Sequence, residues 1–545
     1  MPRDDPSRTT QAWAAAAALV FAAAVLAFAT TSSPLFEFNE GTDANAYYTM
    51  AMGWAHGDVP YRDLWDHKGP LLYLLYLAGY ALDPGGWTGV YAVQVVALAA
   101  SVWLGWRVAA WFTRTAVGAF LAAVAFTYFM LSSGIYGFGG GTTEEFCLPF
   151  VTLGVFGALV ALRRVAGLED QSEDPPSRGA PGAPGRAPAG RRSRSLFWPL
   201  AALGFATAAV GLIKFNLVAG FAVLLLVLGV YVLAKRDWAG FARGLLGLVA
   251  GALPLPALYG VYALATGSLG AFYDVYIRFN RIYAADGAYS LGAEIGLVAW
   301  TTWAFLVGHP VWSVLCVLGF ALLFVRPAVV PRAAGVAVTL AWAVWFALAS
   351  MRVGEFLKMH LFWFGLFGAT ALVMAGEWVA ERLRRRWAGV GRLCAGLCCV
   401  GVLAVGGLAV LHNGKLQSPL FLGADEPIKT DRILAVMDAA DPDGDYTFLN
   451  VFGLDYGLYT RAGQVPINRF FYTPYLYDTT PYPYPWASQL AAIEERRADF
   501  VVVAVPRLLN HIPDVNAELW AALDGTYELV ATVDAGGDHL VYQRT

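Results

Sequence analysis

The residues able to do chemistry in this chain gather in four places. The segment of about 55 residues between an apolar stretch ending near residue 31 and another opening near Trp87 carries Glu37, Glu40, Asp43, Asp58, Asp63, Asp66, His67 and Lys68. A short second segment, GIYGFGGGTTEEF, places Glu144 and Glu145 just ahead of an apolar run. A third, 267–292, holds Arg278 and Arg281, and a fourth holds Arg352, Glu355, Lys358 and His360. A carboxylate can take the proton of an attacking hydroxyl or amine as general base. Lys and Arg can hold a phosphate and stabilise charge as it leaves. Acids and cations recurring together at membrane level are what an enzyme acting on a lipid phosphate requires. For any single residue the plainer reading is a polar loop facing water. For the first segment as a whole, tight charge clusters flanking apolar runs favour a site.

The elements that must position these residues are membrane helices. Of 545 residues 58% are hydrophobic and 14% charged, against about 25% charged in an ordinary soluble domain. Stretches of about 20 nearly uncharged residues cannot stand in water. Eleven read as spans: 12–31, 87–111, 116–133, 146–163, 197–214, 216–234, 243–266, 309–326, 334–350, 359–380 and 390–412. The first has no small-residue cleavage pattern and reads as a retained helix. Lys and Arg alternate with the turns, 21 on the N-terminal side against seven opposite, which predicts N-terminus in and C-terminus out. All four clusters then face the extracytoplasmic side of a plasma (inner) membrane.

Residues 165–195, rich in Pro, Gly and Arg, read as a cytoplasmic disordered linker, with a tether for nucleic acid or lipid headgroups as the other reading. Segment 43–56 has helical character and suits a helix lying at the interface. Phe272, Tyr276, Phe279 and Tyr283, spaced 4, 3 and 4, form one face of a second such helix, with Arg278 and Arg281 on another. The five cysteines lie in or beside apolar stretches and imply no disulfide framework for the polar tail. That tail, 413–545, reads as a small extracytoplasmic α/β domain with strands at TFLNVFG, DFVVVAV, YELVATV and HLVYQR and helices near 427–440, 486–497 and 513–523. Its Tyr- and Pro-dense loop, 469–486, reads as a braced loop packing on the membrane domain, or as a platform for a glycan.

The run FNEGTDANAYYTMAMGWAHGDVPYRDLWDHKGPLLYLLYLAGYAL resembles the first outer loop of the GT-C glycosyltransferases, in the branch of the protein mannosyltransferases and the lipid A aminoarabinose transferase (glycosyltransferase family 39 type). The matching positions are Asp43 with Tyr47, Gly57 through Tyr61, and Asp66, His67, Lys68, Gly69 and Pro70. Glu144 and Glu145 correspond to the family's second acidic loop, and RVGEFLKMHLFWFGLFG, around Lys358 and His360, to a later helix. Two positions depart: Ala44 follows Asp43 where many relatives have a second acid, and His67 precedes Lys68 where many have one. The topology agrees over residues 1–412, and the motifs match best over 39–80.

The resemblance implies transfer of a sugar from a polyprenyl-phosphate donor to a glycan, lipid or protein acceptor, with inversion. Asp43 would be the general base, Lys68 would contact the carrier phosphate, and Glu144 or Glu145 would line the acceptor side or help hold a divalent metal. Arg278, Arg281, Arg352 and Lys358 are further candidates for the phosphate, and Tyr47, Asp66, His67 and His360 for support. No nucleotide motif stands in strand–helix context, and a formal charge of −3 argues against nucleic acid. Two other classes remain: a flippase of lipid-linked sugars, which would place charges at mid-membrane depth, and an envelope protein that binds glycan without chemistry.

Overall fold

The computed structural model is described here over residues 6–39, 41–132, 140–168, 195–285, 291–308, 310–350, 362–386, 428–451, 457–472, 484–505, 513–534 and 538–545. Helices occupy ten of the eleven expected spans; the eleventh, 390–412, lies outside the described residues, as do most of the expected linker and the 412/413 boundary. In order they are α1 (Arg8–Ala29), α2 (Thr42–Ala55), α3 (Pro70–Leu82), α4 (Thr88–Ala109), α5 (Ala116–Ser132), α6 (Thr143–Val165), α7 (Phe197–Gly211), α8 (Val218–Ala234), α9 (Trp238–Ala252), α10 (Pro254–Ala265), α11 (Leu269–Phe272), α12 (Asn280–Ala285), α13 (Leu291–Gly308), α14 (Pro310–Val325), α15 (Arg332–Ser350) and α16 (Phe362–Arg386). A π-helical turn, Tyr273–Phe279, joins α11 to α12.

Among the described residues, five helical segments are long and apolar enough to cross a membrane: α1, α4, α6, Phe215–Ala234, and Trp238–Ala265. The last is one expected span drawn as two helices, broken where Pro254 begins α10. Its exposed Leu245, Leu246, Val249, Leu258, Val261 and Leu264 make sense against lipid rather than water. The inner face of α9 is a glycine stripe. A Cβ at Gly247 would lie 2.2 Å from the Phe197 carbonyl oxygen and one at Gly251 1.9 Å from that of Ala201, so α7 and α9 touch backbone to backbone as membrane helices do through small residues.

Two apolar helices were not anticipated as spans. Helix α3 is only 13 residues long, too short for the spacing of a full crossing. Helix α13 precedes α14 with one residue between them and exposes Ile295, Trp300, Trp303 and Val307; its Glu294 interrupts the apolar run. In α6, Pro149 has no N–H to return to the Glu145 carbonyl, which opens the backbone ladder at the acidic end of that helix.

The C-terminal region forms a four-stranded sheet, in the order β1-β2-β4-β3, from β1 (Phe448–Val451), β2 (Phe500–Ala504), β3 (Tyr527–Asp534) and β4 (Asp538–Arg544). Strands β1 and β2 run parallel, and β4 is antiparallel to both β2 and β3. The period-two rule of strands sorts its side chains. Phe448, Phe500 and Val502 join the apolar cluster that continues into the helical region. Leu449, Val451, Val501 and Val503 pack beneath the helices Tyr484–Glu494 and Pro513–Leu523 in a second cluster. With both faces covered, β2 is buried at all five positions.

The segment at 43–56 is a helix, but its surroundings differ from a helix lying at the interface. Every residue of α2 from Ala44 to Gly53 is buried, because α3 packs on one side and the helix Leu458–Ala462 of the C-terminal region covers it.

Candidate active site

Asp43 stands in the first turn of α2, where the unpaired N–H groups of a helix start favour an anion. It is exposed while Ala44–Gly53 behind it are buried, so the helix presents this carboxylate at the edge of a packed wall. The Tyr472 hydroxyl donates to Asp43 Oδ1 at 2.9 Å. One turn on, Tyr47 is buried with its ring edge-on to Tyr76, centroids 5.6 Å apart.

The Asp66–His67–Lys68 run is fixed from three sides. Asp66 is wholly buried. Its Oδ1 accepts the His67 backbone N–H at 2.7 Å and its Oδ2 accepts the Tyr73 hydroxyl at 2.8 Å. Lys68 Nζ donates to His67 Nε2 at 2.9 Å, which requires a neutral ring with its lone pair at Nε2. Burial, with the charges of Lys68 and Lys214 adding to it, pushes His67 well below the ordinary imidazole range. Burial also raises the Asp66 carboxyl, while Lys68 and the Tyr73 hydroxyl oppose the rise. The π turn delivers the third side: Asn280 Nδ2 donates to the His67 carbonyl at 2.8 Å, and Phe279 lies against both Trp65 and His67.

Gly69 explains how a second cation arrives. Its N–H donates to the Ile213 carbonyl at 3.0 Å, and that of Leu71 to Leu212 at 2.9 Å. A Cβ on Gly69 would sit 2.1 Å from the Leu212 oxygen. The Lys-Gly-Pro run therefore lies directly on the turn after α7, and the next residue of that turn is Lys214. Lys214 Nζ pairs with Glu144 Oε1, whose Oε2 accepts from Thr143 Oγ1 at 2.8 Å. With Lys214 22% and Glu144 5% exposed, the pair is largely out of water.

Glu145 turns the other way. Its Oε2 accepts the Gly141 N–H at 2.8 Å, and the Gly141 carbonyl accepts the Tyr76 hydroxyl at 2.6 Å. Gly141 holds φ +82° with Tyr76 and Ala44 crowding where a Cβ would go, so the sequence needs glycine there twice over. Tyr76 lies within electrostatic reach of both Glu145 and Asp43.

The structure thus brings Asp43, Tyr47, Asp66, His67, Lys68, Glu144 and Glu145 into one neighbourhood. Arg278 is instead half exposed and paired with Asp274 at 2.8 Å, and Arg281 is exposed. Helical spacing is the reason: Tyr276, Phe279 and Asn280 share one face, and both arginines fall on the opposite one. Tyr276 and Phe279 share the buried face as the spacing predicts; the Tyr283 side chain, Arg352, Lys358 and His360 lie outside what is described. Lys214, Tyr73, Asn280 and Tyr472 were not anticipated as site residues. Lys214 had a signal, a charge wedged between two apolar stretches; Tyr472 lies in the Tyr- and Pro-dense loop expected to pack on the membrane domain, but nothing in the sequence pointed to its partner 429 residues away.

Among the described residues no group of three or more His, Cys, Asp or Glu is arranged to hold a metal ion. Asp66 is held by Tyr73 and His67, and Glu144 by Lys214 and Thr143, whereas Asp43 is exposed and Glu145 Oε1 is buried without a hydrogen-bond partner.

Comparison with known proteins adds two findings. Residues 7–167 match the family model of the competence-induced protein Ccs4 N-terminal domain, a stretch containing Asp43, Lys68 and Glu144. No curated protein matches the chain by sequence. The structure is similar to the crystal structure of ArnT from Cupriavidus metallidurans in the apo state, with a TM-score of 0.54, 16% identity and 97% of each chain covered. It is also similar to that ArnT bound to undecaprenyl phosphate, with a TM-score of 0.51 and 15% identity over 97% of this chain and 98% of the other. The likeness is one of fold, and at that level the expected resemblance to the GT-C membrane glycosyltransferases is met.

Proposed function

We propose that this protein is an integral membrane glycosyltransferase that takes a sugar from a polyprenyl-phosphate donor and passes it, with inversion, to an acceptor on the extracytoplasmic face. One observation carries the reading. An exposed carboxylate, Asp43, stands at the edge of a buried cluster holding two cations, Lys68 and Lys214, in a fold shared with a protein that binds undecaprenyl phosphate.

The acceptor hydroxyl or amine attacks the anomeric carbon and gives its proton to Asp43. The bond from that carbon to the phosphate oxygen breaks, and polyprenyl phosphate leaves with the electron pair. Phosphate is already a good leaving group, so the protein supplies mainly position and charge. Lys68 faces that charge, held at Nζ by neutral His67, which cannot compete for it as a cation. Lys214, tied to Glu144, adds positive potential from the next turn.

The test uses purified protein in detergent with a panel of polyprenyl-phosphate sugars and candidate acceptors, reading release of free polyprenyl phosphate. Asp43→Asn keeps shape and removes the base, so the rate should fall by about 10²-fold or more with folding intact. Lys68→Ala should weaken donor binding as well. Full-speed turnover by Asp43→Asn would remove Asp43 from the role of base.

A further inference from the structure

The C-terminal region does more than sit beside the membrane helices. The Arg469 carbonyl accepts the Trp65 N–H at 2.8 Å, and Arg469 Nη2 donates to the Tyr61 carbonyl at 2.6 Å. Gln489 Nε2 donates to the Phe470 carbonyl at 2.7 Å, and the Phe470 N–H to Asn468 Oδ1 at 2.9 Å. Phe471 is fully buried with its ring edge-on to Tyr459, whose hydroxyl accepts from the β1 residue Asn450. Residues 469–472 are thus braced by the loop ahead of α3 and by the sheet at once. Tyr472, itself buried, ends this brace with its hydroxyl on Asp43 Oδ1.

We propose that Tyr472 is a positioning residue for Asp43, so that the C-terminal region completes the active site. This rests on the glycosyltransferase reading for its purpose, but not for its geometry. A phenol donating to one carboxylate oxygen fixes the plane of the carboxylate, and the acceptor's proton then passes to Oδ2. Titratable groups face Asp43 from three elements. Asp66, beside Lys68, comes from the loop, Tyr76 from α3, and Tyr472 from the C-terminal region. On the covering helix, Thr460 Oγ1 bonds Asn45, and Arg461 pairs with Glu37 and Asp431 rather than with Asp43.

The experiment compares full-length wild type, Tyr472→Phe and Thr460→Val in lipid nanodiscs by infrared difference spectroscopy at neutral pH. The Asp43 carboxylate band is identified as the one absent from Asp43→Asn. Tyr472→Phe keeps the ring and removes the donor to Oδ1, so that band should shift. Thr460→Val loosens the same seam without touching Asp43 and should leave the band in place. An unmoved band in Tyr472→Phe, or an equal shift in Thr460→Val, overturns the proposal. In turnover, Tyr472→Phe should lower kcat and leave the donor KM unchanged. If wild type releases no polyprenyl phosphate from any donor, the glycosyltransferase reading falls, and the spectra still decide whether Tyr472 holds Asp43.

Discussion

Replacing Gly69 by alanine tests the architecture of the site at one methyl group. The backbone there has φ −80° and ψ 152°, which any residue adopts, so the cost is one of space alone. The new Cβ would meet the Leu212 carbonyl oxygen at 2.1 Å, its carbon at 2.3 Å and the Ile213 nitrogen at 2.8 Å. All three are backbone atoms and none can swing aside. Ordinary contact begins near 3.4 Å, so going from 2.1 to 3.4 Å the turn must retreat by about 1.3 Å. That strains the two hydrogen bonds from Gly69 and Leu71 to the turn, each worth about 1 kcal/mol net, and adds an overpacking cost of about 1–3 kcal/mol. The sum is about 3–5 kcal/mol. It also draws Lys214 away from Lys68, and a misplacement of about 1 Å can cost about 10²-fold in rate. The unfolding temperature in detergent, followed by tryptophan fluorescence, should fall by several degrees, and release of polyprenyl phosphate should drop with it. Gly229→Ala, on α8 with open space where the Cβ goes, is the control and should be neutral or slightly stabilising. A Gly69→Ala protein as stable and as fast as wild type would refute the backbone contact on which the pairing of the two lysines depends.

Lys214→Met leaves Glu144 without its charge partner in a largely dry setting and should destabilise by about 3–5 kcal/mol; adding Glu144→Gln should recover part of that loss, read as unfolding temperatures of the two variants. His67 supplies a pH dependence of known sign. Its folded pKa is depressed by burial and the two lysines, so its contribution is complete above the ordinary imidazole value near 6.5 and is lost as pH falls below that. His67→Gln should flatten this acid-side fall in unfolding temperature between about pH 6.5 and 5, and an unchanged slope would mean that the ring is not buried neutral.

The apolar stretches located most of the helices because a membrane demands long uncharged runs wherever they occur, whatever they pack against. Asp43, Asp66, Lys68, Glu144 and Glu145 stood out for the same reason in reverse, as charges close to segments that reject charge. Helix α13 escaped because Glu294 breaks its run, and α3 because it is too short to span. The arginines at 278 and 281 fall opposite the buried face of Tyr276 and Phe279, as their spacing along the segment requires.

What local pattern determined, then, was most of the helices, the strands of the tail and the clustering of acids and cations in the loops. Tertiary structure alone decided that Lys214 stands with Lys68, since this depends on a glycine-sized gap between two backbones far apart in sequence. It alone decided that Tyr472 reaches Asp43 and that α2 is buried beneath the C-terminal region. Periodicity reports which face of an element is apolar; it carries no information about which distant element will cover that face, because apolar burial is non-directional and the partner is selected by shape once the chain has closed.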